Sequence, residues 1–327
     1  MSHYAPLLAA FVTLILTFIL ISSKAGKSVQ DIPNERSLHN APLPRIGGVG
    51  LMAGVLSGWA FMVRELAWWV IVPLLLLFAV SLIDDIQGLP VRKRFMAHAI
   101  AAVLLVFGAN LWSQSIVSGV LLLFFSIWMI NLYNFMDGSD GLAGGMALFG
   151  FTMYGVAGLM NGDDTQAMFN FSIGAAAMGF IFHNFHPAKT FMGDAGSIPL
   201  GFLVVAMGVL GWQSGAWALW FPLLVFSPFI ADASMTLAKR ALRKAKVTEA
   251  HREHYYQRVI QMGMGHRDVA LIEYGLMLAS GVSALVALRQ STFFVCITFL
   301  IWSVIYAAIM ILVDKKWDSF QRSMRLA

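Results

Sequence analysis

Charge is what this chain has least of. Asp, Glu, Lys and Arg make up only 12% of its 327 residues, against 59% apolar residues. With a mean hydropathy of +0.74, that balance excludes an ordinary soluble globular domain. Cysteine is nearly absent. Cys296, inside an apolar run, is the only one, which excludes a disulfide framework and a cysteine-built metal site and leaves the redox compartment unread. There is no internal repeat and no low-complexity linker. The first apolar run, from about Tyr4 to Ser22, has neither a basic stretch before it nor a small-residue cleavage site after it; Lys24 and Lys27 follow instead. It reads as a retained span with its N-terminus outside.

What is present is apolar sequence in lengths that suit a bilayer. A helix needs roughly 17 to 25 residues to cross the hydrocarbon. Stretches near that length lie at 4–22, 46–63, 66–83, 96–112, 115–133, 141–160, 166–183, 195–211, 216–234, 269–288 and 292–313. Turn signals such as Asn161-Gly162-Asp163-Asp164, Gln213-Ser214-Gly215 and Arg289-Gln290-Ser291 separate them. The expectation is an all-α polytopic integral membrane protein of about eleven transmembrane helices, N-terminus outside and C-terminus cytoplasmic, forming one domain over residues 1–327. With that topology, 20 of the 22 Lys and Arg residues fall on cytoplasmic segments, leaving Arg64 and Arg289 outside. The opposite orientation would violate the positive-inside bias. The net charge of +5 therefore needs no nucleic-acid partner, and a basic inner face suits anionic lipid and phosphorylated substrates.

Five carboxylates, Asp84, Asp85, Asp137, Asp140 and Asp194, stand where apolar runs meet short polar loops, all on the expected cytoplasmic side. Ionisable groups at such positions are costly and tend to be functional. Asp84-Asp85 ends the third span, where the helix dipole disfavours carboxylates, so a cation site or a base fits better than a cap. Asn131, Asn134 and Asp137 follow at steps of three, close to one helix face, an oxygen set that suits Mg²⁺. Asp137-Gly and Ser139-Asp140-Gly are equally ordinary turn chemistry. Asp194 precedes an apolar run between glycines, which reads as an N-cap or as a phosphate site. Phe191 reads as an interfacial aromatic. The longest cytoplasmic loop carries His251-Arg252-Glu253-His254-Tyr255-Tyr256-Gln257-Arg258; lacking a further ligand pair, it suits phosphate recognition better than zinc.

In this order the segments resemble the polyprenyl-phosphate N-acetylhexosamine-1-phosphate transferases, and the resemblance begins at His39-Asn-Ala-Pro42-Leu-Pro44-Arg45-Ile-Gly47-Gly48. It implies transfer of a sugar 1-phosphate from a UDP-N-acetylhexosamine to a polyprenyl phosphate, with release of UMP and a need for Mg²⁺, or Mn²⁺ as a substitute. It also implies the bacterial inner membrane, with the active site facing the cytoplasm; a homodimer is allowed for. By the family pattern Asp194 and Asn134 hold the metal, and Asp84, Asp85 and Asp137 are catalytic. Phe191 stacks on uracil, Asp140 and Asn184 line the nucleotide pocket, and the stretch from His251 to Arg258, with Arg252 and His254, holds the pyrophosphate. His39, Arg45, Arg94 and Asn131 complete the substrate-binding set.

The His-Pro-rich start and Asp232 look like the GlcNAc-1-phosphate or O-antigen branch, which implies initiation of O-antigen (lipopolysaccharide) or other cell-envelope polysaccharide synthesis. Where the pentapeptide translocase carries a triple-His loop this chain has His251-Arg-Glu-His254, and Arg94 and His98 stand where many members carry Lys and Gln. UDP-GlcNAc, UDP-FucNAc and UDP-QuiNAc remain alternatives, with phospho-MurNAc-pentapeptide transfer as the rival within the family. A nucleotide-sugar or ion transporter is the rival from another class, although neither repeats nor broken midplane helices are visible.

Overall fold

The computed structural model describes residues 2–33, 38, 41–113, 115–246 and 251–326. Its helices are α1 (Ala5–Ser22), α2 (Lys24–Ser28), α3 (Gly47–Trp59), α4 (Trp68–Gln87), α5 (Val91–Gly108), α6 (Ile116–Phe135), α7 (Leu142–Met160), α8 (Asp164–Asn184), α9 (Asp194–Gln213), α10 (Trp220–Val225), α11 (Ser227–Leu242), α12 (Tyr255–Gln261), α13 (His266–Ala287) and α14 (Thr292–Leu326). A two-residue antiparallel ladder, β1 (Gln30–Asp31) with β2 (Leu43–Pro44), pairs Gln30 with Pro44 and Asp31 with Leu43. The chain is an all-α membrane bundle, as expected. Among the described residues nine helices are long and apolar enough to span a membrane, from Ser2–Ser22 to Thr292–Met324.

The other two expected spans are helical but of a different make. α5 begins five residues ahead of the expected apolar run, with Arg92, Lys93 and Arg94 in its first turn. The stretch expected at 216–234 is broken into α10 and α11 around Phe226. The cause is local: Pro228, in the first turn of α11, has no N–H to continue the ladder. α14 also runs well past the expected end at 313, because helix propensity does not stop where hydropathy does.

α9 is the centre of the bundle, buried along nearly its whole length and packed against α3, α4, α6 and α7. On the other side α1 lies against α3 and α8. Small residues let backbones approach there: Gly50 and Gly54 of α3 take Thr17 and Thr13 of α1 against their main chain. The C-termini of α4, α6 and α8 and the N-termini of α5, α7 and α9 meet at one end of the bundle, as the contacts below show. The chain from Pro44 to Gly48 is tied to that end: Phe191 N–H donates to Pro44 (2.8 Å), Gly47 N–H to Phe191 (3.0 Å) and Gly48 N–H to Met192 (2.9 Å). Arg45 is thereby held over the start of α9.

Candidate active site

Asp84 and Asp85 are neighbours with different surroundings. Asp85 is almost wholly buried and caps α9 from another helix: its oxygens accept the N–H groups of Asp194 (3.1 Å) and Ala195 (2.8 Å), and Arg45 Nη2 lies 2.9 Å away. A carboxylate there meets the dipole and the orphan donors of a helix N-terminus. The turn leading in requires glycine. Gly193 sits at φ +69°, and a Cβ on it would lie 2.7 Å from an Asp85 oxygen. Asp84 accepts the N–H of Leu89 and pairs with Arg94, whose Nη1 is 3.1 Å from Asp84 Oδ2 and 3.3 Å from Asp194 Oδ2. One guanidinium nitrogen thus bridges two acids from α4 and α9.

Asn134, at the end of α6, accepts the Ser197 hydroxyl at 2.8 Å, which puts it beside the first turn of α9. Asn131 turns its amide back to the Ile127 carbonyl at 2.6 Å. Asp137, half-buried in the α6–α7 loop, differs from the other acids: among the described residues no hydrogen bond or ion pair ends on its carboxylate. Desolvation, with Asp194 and Asp85 close by, pushes its carboxyl well above the usual carboxylate range.

Asp140 and Asn184 lie beside this cluster and are occupied in building it. Asn184 accepts the Gly141 N–H (2.9 Å) and donates to the Thr190 carbonyl (2.9 Å), tying the α6–α7 loop to the α8–α9 loop. Asp140 takes His186 Nδ1 at 2.7 Å and the Ala188 N–H at 3.2 Å. His266, at the start of α13, bonds Ser139 (3.0 Å) and stacks on His186 with ring centroids 5.7 Å apart and planes 5° from parallel. His186 and His266 are site neighbours that sequence reasoning passed over; His266 carried a signal, a polar residue opening an apolar span after Gly265. Phe191 is half-buried between these two groups in sequence and held by its own backbone bonds.

The loop 251–254 docks on the same end through Asp232 of α11. This one carboxylate accepts the N–H groups of Tyr255 and Tyr256 (both 3.0 Å), the Thr236 hydroxyl (3.1 Å) and His254 Nδ1 (3.2 Å), so it caps α12 and orients His254 together. The Tyr256 hydroxyl then reaches the Phe135 carbonyl at 3.2 Å, and a side chain at Gly138 would run into that phenol. His251 stacks on His254 with centroids 5.0 Å apart. Burial, with His254 and Arg240 beside it, holds the His251 imidazole down to about 4. Arg252 is exposed, with its guanidinium unpaired among the described residues. Arg258 turns away, to Asp314 at 3.0 Å. His39 lies outside the described residues.

Does this set suit Mg²⁺? Asp84, Asp85, Asp137 and Asp194 stand against Arg45 and Arg94, leaving a formal surplus of two negative charges before Asp31, 3.8 Å from Arg45, is counted. The donors are hard oxygens, and Arg94 occupies the gap between Asp84 and Asp194 that a divalent cation would compete for. Among the described residues no three His, Cys, Asp or Glu side chains close into a cage. A Mg²⁺ ion here would therefore rest on one or two of these carboxylates and complete its shell from water and phosphate.

Known proteins align with these elements. Residues 67–211, from α4 to α9, match glycosyl transferase family 4. A probable undecaprenyl-phosphate N-acetylglucosaminyl 1-phosphate transferase of Bacillus subtilis is 25% identical over 97% of this chain and 95% of its own length. A decaprenyl-phosphate N-acetylglucosaminephosphotransferase of Mycobacterium tuberculosis is 29% identical over 74% of this chain and 71% of its own. A phospho-N-acetylmuramoyl-pentapeptide-transferase of Staphylococcus carnosus is 26% identical over 64% of this chain and 76% of its own. The matched segment, a little under half of the chain, holds Asp84, Asp85, Arg94, Asn134, Asp137 and Asp194 together.

Proposed function

We propose that the protein transfers an N-acetylhexosamine 1-phosphate from a UDP-sugar to a polyprenyl phosphate at the cytoplasmic face of a bacterial inner membrane. The observation that carries this reading is the meeting of Asp84, Asp85, Asp137 and Asp194 with Arg45 and Arg94 at one end of an apolar bundle. A membrane-embedded acceptor phosphate and a soluble nucleotide sugar can meet only at such a boundary. The positive-inside bias supports a cytoplasmic boundary, and the GlcNAc-1-phosphate transferases align over more of the chain than the pentapeptide transferase does.

An oxygen of the acceptor phosphate attacks the donor phosphorus that bears the sugar. The bond from that phosphorus to the bridging oxygen breaks, and UMP leaves with the electron pair. Asp137, unpaired among the described residues, is placed to hold the acceptor phosphate deprotonated, while Asp85 fixes α9 and Asp84 fixes Arg94. Arg45, Arg94 and the His251–His254 pair gather phosphate oxygens, and Phe191 offers a ring to the uracil. Mg²⁺ bound by Asp194 with Asn134 would neutralise charge developing on the leaving phosphate. Positioning and electrostatics are the main work in such a transfer.

Purified protein with Mg²⁺, tritiated UDP-GlcNAc and undecaprenyl phosphate is expected to yield a butanol-soluble product, with UDP-FucNAc and UDP-QuiNAc as parallel donors. Asp194→Asn should abolish it, and Phe191→Ala should raise the donor KM by about tenfold, the scale of one lost aromatic stack. No product from any UDP-N-acetylhexosamine, combined with uptake of a nucleotide sugar into vesicles, would replace this reading with transport.

A further inference from the structure

α14 has 35 residues and is therefore about 52 Å long, while a hydrocarbon core is about 30 Å thick. Its last third, from Asp314 onward, continues as helix beside α12 and the end of α11. Between these three helices lies a cleft of about 820 Å³, lined by Lys239, Arg243, Arg258, Asp314, Trp317 and Arg322 among others. Four cations face two acids there, Asp314, which pairs with Lys239 and Arg258, and Asp318; Arg243 pairs with Glu253 just outside the lining. Arg258 is the best-built member. It is 5% exposed, its guanidinium lies 5.2 Å from the Tyr255 ring centroid and 5.7 Å from that of Trp317, and its Nε has no hydrogen-bond partner among the described residues. Glu253 marks the same anion preference: Arg240 binds it, Arg243 lies 2.5 Å away and Arg258 3.8 Å away. Burial alone would raise the Glu253 carboxyl, yet Arg243 and Arg240 hold it below its usual range.

Exposed apolar side chains lie in and near the cleft on α11 and α14. Leu242 is 84% exposed, Met324 is 66% exposed, and Ile311 and Leu312, both more than half exposed, lead up α14 toward it. Buried guanidinium chemistry with a greasy approach suits an amphipathic phosphate better than a free one. We propose that this cleft binds the headgroup of an anionic phospholipid of the cytoplasmic leaflet, its phosphate among Arg243, Arg258 and Arg322 and its acyl chains along the exposed face of α14. The site is separate from the acidic cluster and does not depend on the transferase reading.

Native mass spectrometry of the full-length protein, delipidated and then offered phosphatidylglycerol or phosphatidylcholine, tests this directly. Phosphatidylglycerol should be retained at least about fivefold over phosphatidylcholine, the scale of a charge effect at a membrane surface. Arg322→Glu should remove that preference. Arg92→Glu, the same charge change at the exposed start of α5, should leave it intact, and an unaltered melting temperature for both variants controls for folding. Equal loss in the two variants would reduce the effect to general surface charge and overturn the site. Displacement of phosphatidylglycerol by soluble glycerol 3-phosphate at equal concentration would overturn the lipid assignment.

Discussion

Asp137→Asn and Asp85→Ala are expected to fail in different ways. Asp137 has no bonding partner among the described residues and sits among like charges, so Asp137→Asn should leave the melting temperature of metal-free protein unchanged or raised. Turnover should fall by about 10² to 10⁴, the usual contribution of a positioned proton acceptor. Asp85→Ala should lose turnover and stability together, because it strands two helix-terminal N–H groups and Arg45, a loss on the order of 3 kcal/mol. Thermal melts beside the radiochemical assay separate the two; a strongly destabilised Asp137→Asn would remove it from the role of free carboxylate. The sequence marked both acids as misplaced in an apolar chain, but not this division between them. The deciding partners of Asp85 lie about 109 residues away, whereas Asp137 is masked by the turn-forming company of Gly138 and Ser139. Asn184 shows the converse: a residue expected to line a pocket spends both its amide atoms joining two loops.

At the scale of elements, long apolar spans were legible because the hydrocarbon sets their length, and apart from the start of α5 and the end of α14 their ends lie close to the composition boundaries. The break at Phe226 and the short α12 were not, since each depends on one residue: Pro228 ending a ladder, and Asp232 capping a helix that begins more than twenty residues later. Asp232→Ala should therefore undock 251–261 while leaving the bundle intact. Hydrogen exchange in that segment should rise, donor KM should rise, and exchange within α9 should not change; equal exchange in 251–261 would dismiss the capping role. The same segment has a pH sense. His251 is held near 4 when folded against about 6.5 when unfolded, so between those values the unfolded form binds more protons and docking weakens as pH falls. His251→Gln should flatten that dependence between pH 6.5 and 4, read by exchange or by proteolysis of the loop.

At the scale of the whole molecule, every polar contact described for the candidate site gathers at one end of the bundle, and the opposite end carries plain turns such as that at Gly162 and that at Arg289-Gln290. Both ends of α14 are accessible, Gln290 just before it and Lys316 well inside its protruding part. The single cysteine makes the orientation directly readable. In a Cys296→Ser background, Gln290→Cys on intact cells should react with a membrane-impermeant maleimide, while Lys316→Cys should react only after the membrane is opened. That outcome puts the acidic cluster, which shares its end of the bundle with α12 and so with the Lys316 side of α14, in reach of nucleotide sugars made inside the cell. Labelling of Lys316→Cys from outside would invert the bundle. It would leave the carboxylates facing a compartment without UDP-sugars, and the transferase reading could not survive it.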